Sequence, residues 1–349
     1  MEKSMIIKTR SVLLMLILQI GMTVAAQERV LLTEKPGTFK FRRDVLNGLG
    51  PDFYGKTNNF TVSESEASHN EVDRVGEVFR QCPVLKYNKG FDAVCDIGLG
   101  RFCSKYGYGV PSILTFYLST WSLYKGNEVQ WKIEPPQWRM EINMTDKYRD
   151  NGFNETDFSN AYNPTNPDFS EAVMRISAVE VNELFFQPCI KEVIEPGIDR
   201  YGETYVIYNP DQPPYWEQVT IREAYRLLLN YWKCVPDKAQ SDVMEQAVAA
   251  EFERFSESEK GEFAFFGNPE TVYRIGSVKN DTPVLRPNPE YWNKNLPRSA
   301  IQIMVFEIPE ASVIKNKMNN CLRVGDGYYY IYKLLEELDV SSLLPLIAD

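Results

Sequence analysis

Residues 111–144, PSILTFYLSTWSLYKGNEVQWKIEPPQWRMEINM, alternate apolar and polar side chains around a Lys-Gly-Asn turn at 125–127. Successive side chains of a strand point to opposite faces, so a period of two marks β-structure with one face buried. A short glycine-bearing turn between two such runs joins them as a hairpin. The stretch therefore predicts strands of an antiparallel sheet.

Helical periods flank it. In SHNEVDRVGEVFRQC (68–82), Ser68 and Glu71 have capping-box spacing, and Val72, Val75, Val78, Phe79 and Cys82 recur at helical intervals. PVLKYNKGFDAVC (83–95) reads as a turn and a short extended piece. Residues 145–169 are crowded with Asn, Asp, Pro and Gly and lack an apolar period, which predicts an exposed connector. Beyond it, SEAVMRISAVEVNELFF (170–186) is helical, ETYVIY (203–208) is a strand, and NPDQPPYW (209–216) is the loop out of that strand. Thr220 and Glu223 form a second capping box, with Ala224, Leu227, Leu228 and Tyr231 on one helix face. DKAQSDVMEQAVAAEFERF (237–255) is a further helix. ETVYRIGSV (270–278) and AIQIMVFEI (300–308) are strand candidates, and residues 328–347 form a closing helix broken near Val340. The expected fold class is α+β, with antiparallel sheets and packed helices in two modules, 27–144 and 170–349. EPPQWRMEINM (134–144) and PNPEYWNKNLPRSAIQIMVFEI (287–308) echo each other, each placing a Pro-Trp element ahead of an alternating strand.

The chain opens with Lys3, Lys8 and Arg10, then an apolar run over 12–20, then Val24-Ala25-Ala26 ahead of Gln27. That is the layout of a signal peptide over residues 1–26, and the run is too short to span a bilayer. The expected location is periplasmic or secreted, with no membrane span. A net charge of -10, with acids and bases scattered, repels phosphate backbones, so nucleic acid is not an expected partner. At 44% hydrophobic residues the chain has the apolar content to fold. Its 6 cysteines, Cys82, Cys95, Cys103, Cys189, Cys234 and Cys321, predict disulfides in an oxidising compartment. Cys95 and Cys103 flank a glycine-rich stretch and are placed to close a small loop.

Familiar catalytic kits fail on inventory. His69 is the only histidine, and its place just inside the first capping box reads as an exposed helix start. Histidine-rich zinc sites are therefore impossible, and no GxSxG context supports a triad. The glycines of GLGRFC (98–103) and GYG (107–109) lack dinucleotide or P-loop spacing and read as turns. No metal site or cofactor is expected. Asp146, Asp150, Asn151, Asn154, Glu155 and Asp157 carry calcium-ligand oxygens, but the EF-hand pattern is not met and a solvated loop is the reading. Asp199, Glu203, Asp211 and Glu217 bracket the strand and aromatic loop, and are the acids in which a carboxylate pair would be sought. N-x-[ST] sites occur at Asn59, Asn143, Asn154 and Asn280.

The aromatics remain. Trp138, Tyr215, Trp216, Tyr291 and Trp292 stand beside prolines at strand and helix entries. Aromatic side chains on rigid loops suit sugar rings and peptides, because little entropy is lost on binding. For YNPDQPPYW itself the competing account is preferred: Pro213 and Pro214 stiffen the entry and the aromatics pack as a staple.

The stretches PVLKYNKGFDAV, EPPQWRMEIN, NPDQPPYWEQVTIREAY and NPEYWNKNLPRSAIQIMVFEI resemble pieces of exported proteins of Bacteroidota with no assigned function. Gln27 directly after Val-Ala-Ala is in keeping with that group. The resemblance implies a bacterial periplasmic or secreted protein and brings no active residue with it. The expected function is a soluble binding or interaction protein whose contact surface is Trp138, Tyr215, Trp216, Tyr291 and Trp292. A glycan, a peptide or an envelope protein is the expected partner. The alternative is an envelope hydrolase using a carboxylate pair.

Overall fold

A computed structural model describes residues 29–43, 60–99, 108–133, 138–144, 185–186, 191–234, 237–266, 275–279 and 283–349. The signal-like segment, the 145–169 connector with its oxygen ligands, and residues 170–184 of the helix expected over 170–186 lie outside them. So do Cys103, Cys189 and the side chains of Cys234 and Cys321. The last two residues of that expected helix, Phe185–Phe186, form a strand instead, paired with Val284 and Leu285.

The strands are β1 (Val30–Leu31), β2 (Phe39–Arg43), β3 (Phe91–Leu99), β4 (Ser112–Tyr124), β5 (Asn127–Lys132), β6 (Trp138–Ile142), β7 (Phe185–Phe186), β8 (Glu192–Glu195), β9 (Ile198–Tyr201), β10 (Thr204–Tyr208), β11 (Trp216–Gln218), β12 (Phe265–Phe266), β13 (Ile275–Gly276), β14 (Val284–Pro287) and β15 (Ile303–Glu307). The helices are α1 (Val62–Gln81), α2 (Pro83–Lys86), α3 (Ile221–Cys234), α4 (Lys238–Phe252), α5 (Glu257–Lys260), α6 (Ala311–Asn316) and α7 (Gly327–Glu337). The protein is α+β.

Ten strands form one sheet in the order β2-β3-β4-β6-β15-β10-β9-β8, with β1 and β5 attached to β4. The alternation read at 111–144 is its framework. Ser112, Leu114, Phe116, Leu118, Thr120 and Ser122 of β4 are buried, while the residues between them are half-buried. Phe91, Ala93, Cys95, Ile97 and Leu99 of β3 follow the same rule, in register from Phe91 opposite Thr120 to Leu99 opposite Ser112. The 125–127 turn is also observed: Lys125 and Gly126 both take positive φ, 52° and 79°, the left-handed pair that joins β4 to β5. One pairing departs from the antiparallel expectation. β2 runs parallel to β3, which the length of α1 between them permits.

The sheet runs on across the division expected between the two modules, because β6 pairs with β15. Around that pair the topology repeats. β3-β4-β6 and β9-β10-β15 are each a three-stranded antiparallel succession, and the two meet antiparallel at their third strands. These third strands lie in the two echoing stretches: β6 starts at the Trp of the first, and β15 follows the Trp of the second.

Helix α1 packs on the sheet through Ser65, Ser68, His69, Val72, Val75, Gly76 and Phe79, a stripe at intervals of three and four. Its start corrects the sequence reading. The capping box is Thr61 with Glu64, and Ser68 lies mid-helix, its Oγ 3.4 Å from that of Ser112. His69 is therefore buried rather than exposed at a helix start. Both four-residue patterns match the box; the inner face of the first turns is lined by serines, which carry no apolar period. Helix α7 and a 3-10 turn over Val340–Leu346 close the same side of the sheet, and the break falls at Leu338–Asp339 as expected near Val340. Thr220 Oγ1 accepts from Glu223 N at 3.2 Å and opens α3, whose Ala224, Leu227 and Leu228 enter a second core with Val248 of α4.

Cys82 and Cys95 are free buried thiols, so the loop expected from Cys95 to Cys103 is not closed. The alternation of β3 turns Cys95 toward the core. Burial and then the nearby Glu337 push the Cys82 thiol up to about 11. Asn143, one of the N-x-[ST] positions, is buried with φ 55°; it donates to Ala300 O at 2.9 Å and accepts from Gln302 N at 2.8 Å.

Candidate functional site

The five aromatics expected on a contact surface are all interior, none more than 9% exposed. Trp138 stands apart from the rest, among Phe79, Phe116 and Phe306, and its indole N–H donates to Glu307 O at 2.7 Å. The other four are brought together in one cluster on the opposite side of the sheet. Ring centroids are 5.0 Å apart for Tyr215–Trp216, 6.2 Å for Tyr215–Tyr291 and 5.3 Å for Tyr291–Trp292. Tyr291 donates to Gln302 O. The 209–216 loop is held by Asn209, which accepts from Asp211 N at 2.9 Å, and by Asn288, which donates to Pro214 O at 2.7 Å. The packed-staple account of this loop matches the geometry; an exposed platform does not. Prolines beside an aromatic stiffen the backbone, but the cover over the rings comes from β10 and from β14 and β15, and the last two are distant in sequence.

At the centre of this cluster is Asp199, fully buried on β9. Tyr215 OH donates to its Oδ2 at 2.6 Å, the Tyr201 and Tyr215 hydroxyls are 3.0 Å apart, and Lys191 Nζ lies 3.4 Å from the same Oδ2. Oδ1 receives no hydrogen bond from the described residues. Burial, then Tyr201, then Asp199 push the Tyr215 phenol well above its ordinary range. Burial and Asp199 push Tyr208 up to about 12. The phenols therefore stay protonated, and Tyr215 serves as a donor to the carboxylate. This nest ties β9 to the loop before β11, with Asp199 and Tyr215 buried and Lys191 at its solvent edge.

The other three acids do not join it. Glu203 and Asp211 are exposed, and Glu217 is paired with Arg286 at 2.6 Å. A second fully buried acid, Glu141 of β6, shares a cross-strand row with Asp199, in the order Glu141, Val305, Val206, Asp199. Three interstrand spacings put their Cα atoms about 14 Å apart. Carboxyl pairs that hydrolyse glycosides stand about 5–9.5 Å apart.

The accessible arrangement lies on the face of β2–β5 opposite α1. Its rows are Arg42·Asp96·Thr115·Arg139, Lys40·Val94·Tyr117 and Asp92·Ser119·Lys132, with Trp121 opposite Gln130 beyond. Val94, Thr115, Tyr117, Ser119 and Trp121 are half-buried, and Lys40, Arg42, Lys132 and Arg139 are exposed. Asp92 accepts from Thr38 N at 2.6 Å, Gln130 Nε2 at 2.6 Å and Trp121 Nε1 at 3.1 Å, and Lys35 Nζ sits 3.6 Å from the Trp121 ring centroid. Asp96 is engaged by Arg42. Reading the sequence for proline-flanked aromatics missed Tyr117, Lys40, Arg42, Lys132 and Arg139. The signal that finds them is the polar half of the period-two alternation in β3 and β4.

Among the described residues there is no group of three or more His, Cys, Asp and Glu placed to hold a metal ion. Among them also, no helix is long and apolar enough to cross a membrane. Compared with protein-family models, curated proteins and solved structures, the chain matches none.

Proposed function

We propose that the protein is an exported binding protein of bacterial type, and that its contact surface is the face of β2–β5 opposite α1. The observation that carries this reading is the asymmetry of the sheet. Along β3 and β4 one set of alternate residues is sealed beneath α1 and α7, while the other leaves Val94, Tyr117 and Trp121 partly open to solvent. A half-open row of aromatic and β-branched side chains on rigid strands suits a flat, weakly polar ligand, since the protein loses little freedom on binding. The signal-like layout of residues 1–26 supports export. The closed nest around Asp199 supports a structural role for the buried aromatics.

The test is thermal unfolding of residues 27–349 against a panel of glycans, peptides, muropeptides and calcium. A ligand that binds only the folded state adds about 2.7 kcal/mol at a hundredfold excess over its dissociation constant. The expected result is a raised midpoint with one ligand class and no turnover, lost in Tyr117→Ala. Turnover of the ligand would favour a hydrolase, and a shift that survives Tyr117→Ala would move the surface elsewhere.

A further inference from the structure

The face of β2–β6 opposite α1 balances its charges where the chain as a whole is acidic. On its strands Lys40, Arg42, Lys132 and Arg139 stand against Asp92, Asp96, Glu128 and Glu141, and Lys35 reaches in from the loop before β2 to lie over Trp121; the whole chain carries -10. The acids are turned inward or engaged. Asp92 takes the hydrogen bonds of Thr38, Trp121 and Gln130, Asp96 is held by Arg42, Glu128 by Lys35, and Glu141 is fully buried. Arg42 and Arg139, with side chains 67% and 50% exposed, share their charge with Asp96 and Glu141, while Lys40 and Lys132 are exposed on either side of the row. These cations also lie on two margins. Lys40 and Arg42 are on β2, and Lys132 and Arg139 are on β5 and β6, with Val94, Thr115, Tyr117 and Ser119 between them. Arg42 and Arg139 end one row, about 14 Å apart at ordinary strand spacing.

We propose that this face binds a linear anionic polysaccharide, a deepening that rests on the binding reading above. A ribbon of pyranose rings lays its ring faces on Val94 and Tyr117 and projects carboxylates to alternate sides, where the two cationic margins meet them. An extended acidic peptide fits less well, because its side chains alternate toward and away from the sheet rather than sideways.

The experiment is calorimetric titration and thermal unfolding of residues 27–349 with polygalacturonate, and with poly-L-glutamate and dextran as comparators, at low and high salt. Polygalacturonate is expected to bind and raise the midpoint, with affinity that falls as salt screens the exposed charges. The Lys40→Gln/Lys132→Gln variant is expected to bind at least tenfold more weakly while its own unfolding midpoint stays at the wild-type value. Equal or tighter binding of poly-L-glutamate overturns the proposal in favour of an acidic peptide. A response to dextran but not polygalacturonate overturns the anionic ligand while leaving the binding reading in place. Silence with all three overturns the proposal, and the wider panel then decides the binding reading separately.

Discussion

Replacing Tyr215 with Phe removes one oxygen from a buried polar cluster. That hydroxyl donates to Asp199 Oδ2 at 2.6 Å and stands 3.0 Å from the Tyr201 hydroxyl. Asp199 is fully buried, and its Oδ1 receives no hydrogen bond from the described residues. After the substitution, among the described residues, Oδ2 retains Lys191 at 3.4 Å, a side chain that is itself 49% exposed. A hydrogen bond to a charged group contributes about 1.5–3 kcal/mol, and stranding a buried acceptor keeps the loss at the upper end. Tyr215→Phe is therefore expected to lower stability by about 2–3 kcal/mol, read as a lower urea midpoint at unchanged slope. Asp199→Asn leaves an acceptor for Tyr215 and removes mainly the partly solvated ion pair, so its cost is expected to be about 1 kcal/mol. The double variant is expected to cost less than the sum, with a coupling of about 1 kcal/mol. If Tyr215→Phe falls within about 0.5 kcal/mol of wild type, the range of neutral surface changes, the nest is not a stabilising feature and the reasoning fails.

Alkaline titration gives a second test. Tyr208 and Tyr330 are both raised from 10.0 to about 12, chiefly by burial, so the folded state holds protons that the unfolded chain releases. The stabilisation is complete below pH 10 and is lost as pH rises toward 12, so urea midpoints are expected to fall across that window as tyrosinate absorbance appears. Gly126→Ala is expected to cost about 1–2 kcal/mol by calorimetry: φ is 79° while the space around its Cβ position is open, so only backbone strain is at stake, and no loss would argue against the left-handed turn. Cys82 and Cys95, buried and unpaired, are expected to resist alkylation in the native protein and to be labelled in urea, as read by peptide mass spectrometry.

Much of the architecture was legible locally. β4, β5 and the Lys125–Gly126 turn lie where the alternation and the turn residues place them, because period two and left-handed turns are properties of a few adjacent residues. The helix at Thr220 and the break before Val340 rest on capping chemistry of the same range. Helix α1 shows where local reading stops: Thr61-x-x-Glu64 and Ser68-x-x-Glu71 are equivalent as sequence. Only packing against β4 puts Ser68 and His69 on the inner face.

By itself the sequence determined the fold class, the alternation of β3 and β4, and the two Pro-Trp strands, since each is encoded in neighbouring residues. It did not determine that those two strands pair at the centre of one sheet. Nor did it determine that Trp138, Tyr215, Trp216, Tyr291 and Trp292 are interior, or that Asp199 alone of the four bracketing acids is fully buried. Burial is a property of what covers a side chain, and here much of the cover comes from segments distant in sequence. For the same reason, which face of β3 and β4 stays partly open was fixed only when α1 and α7 took the other.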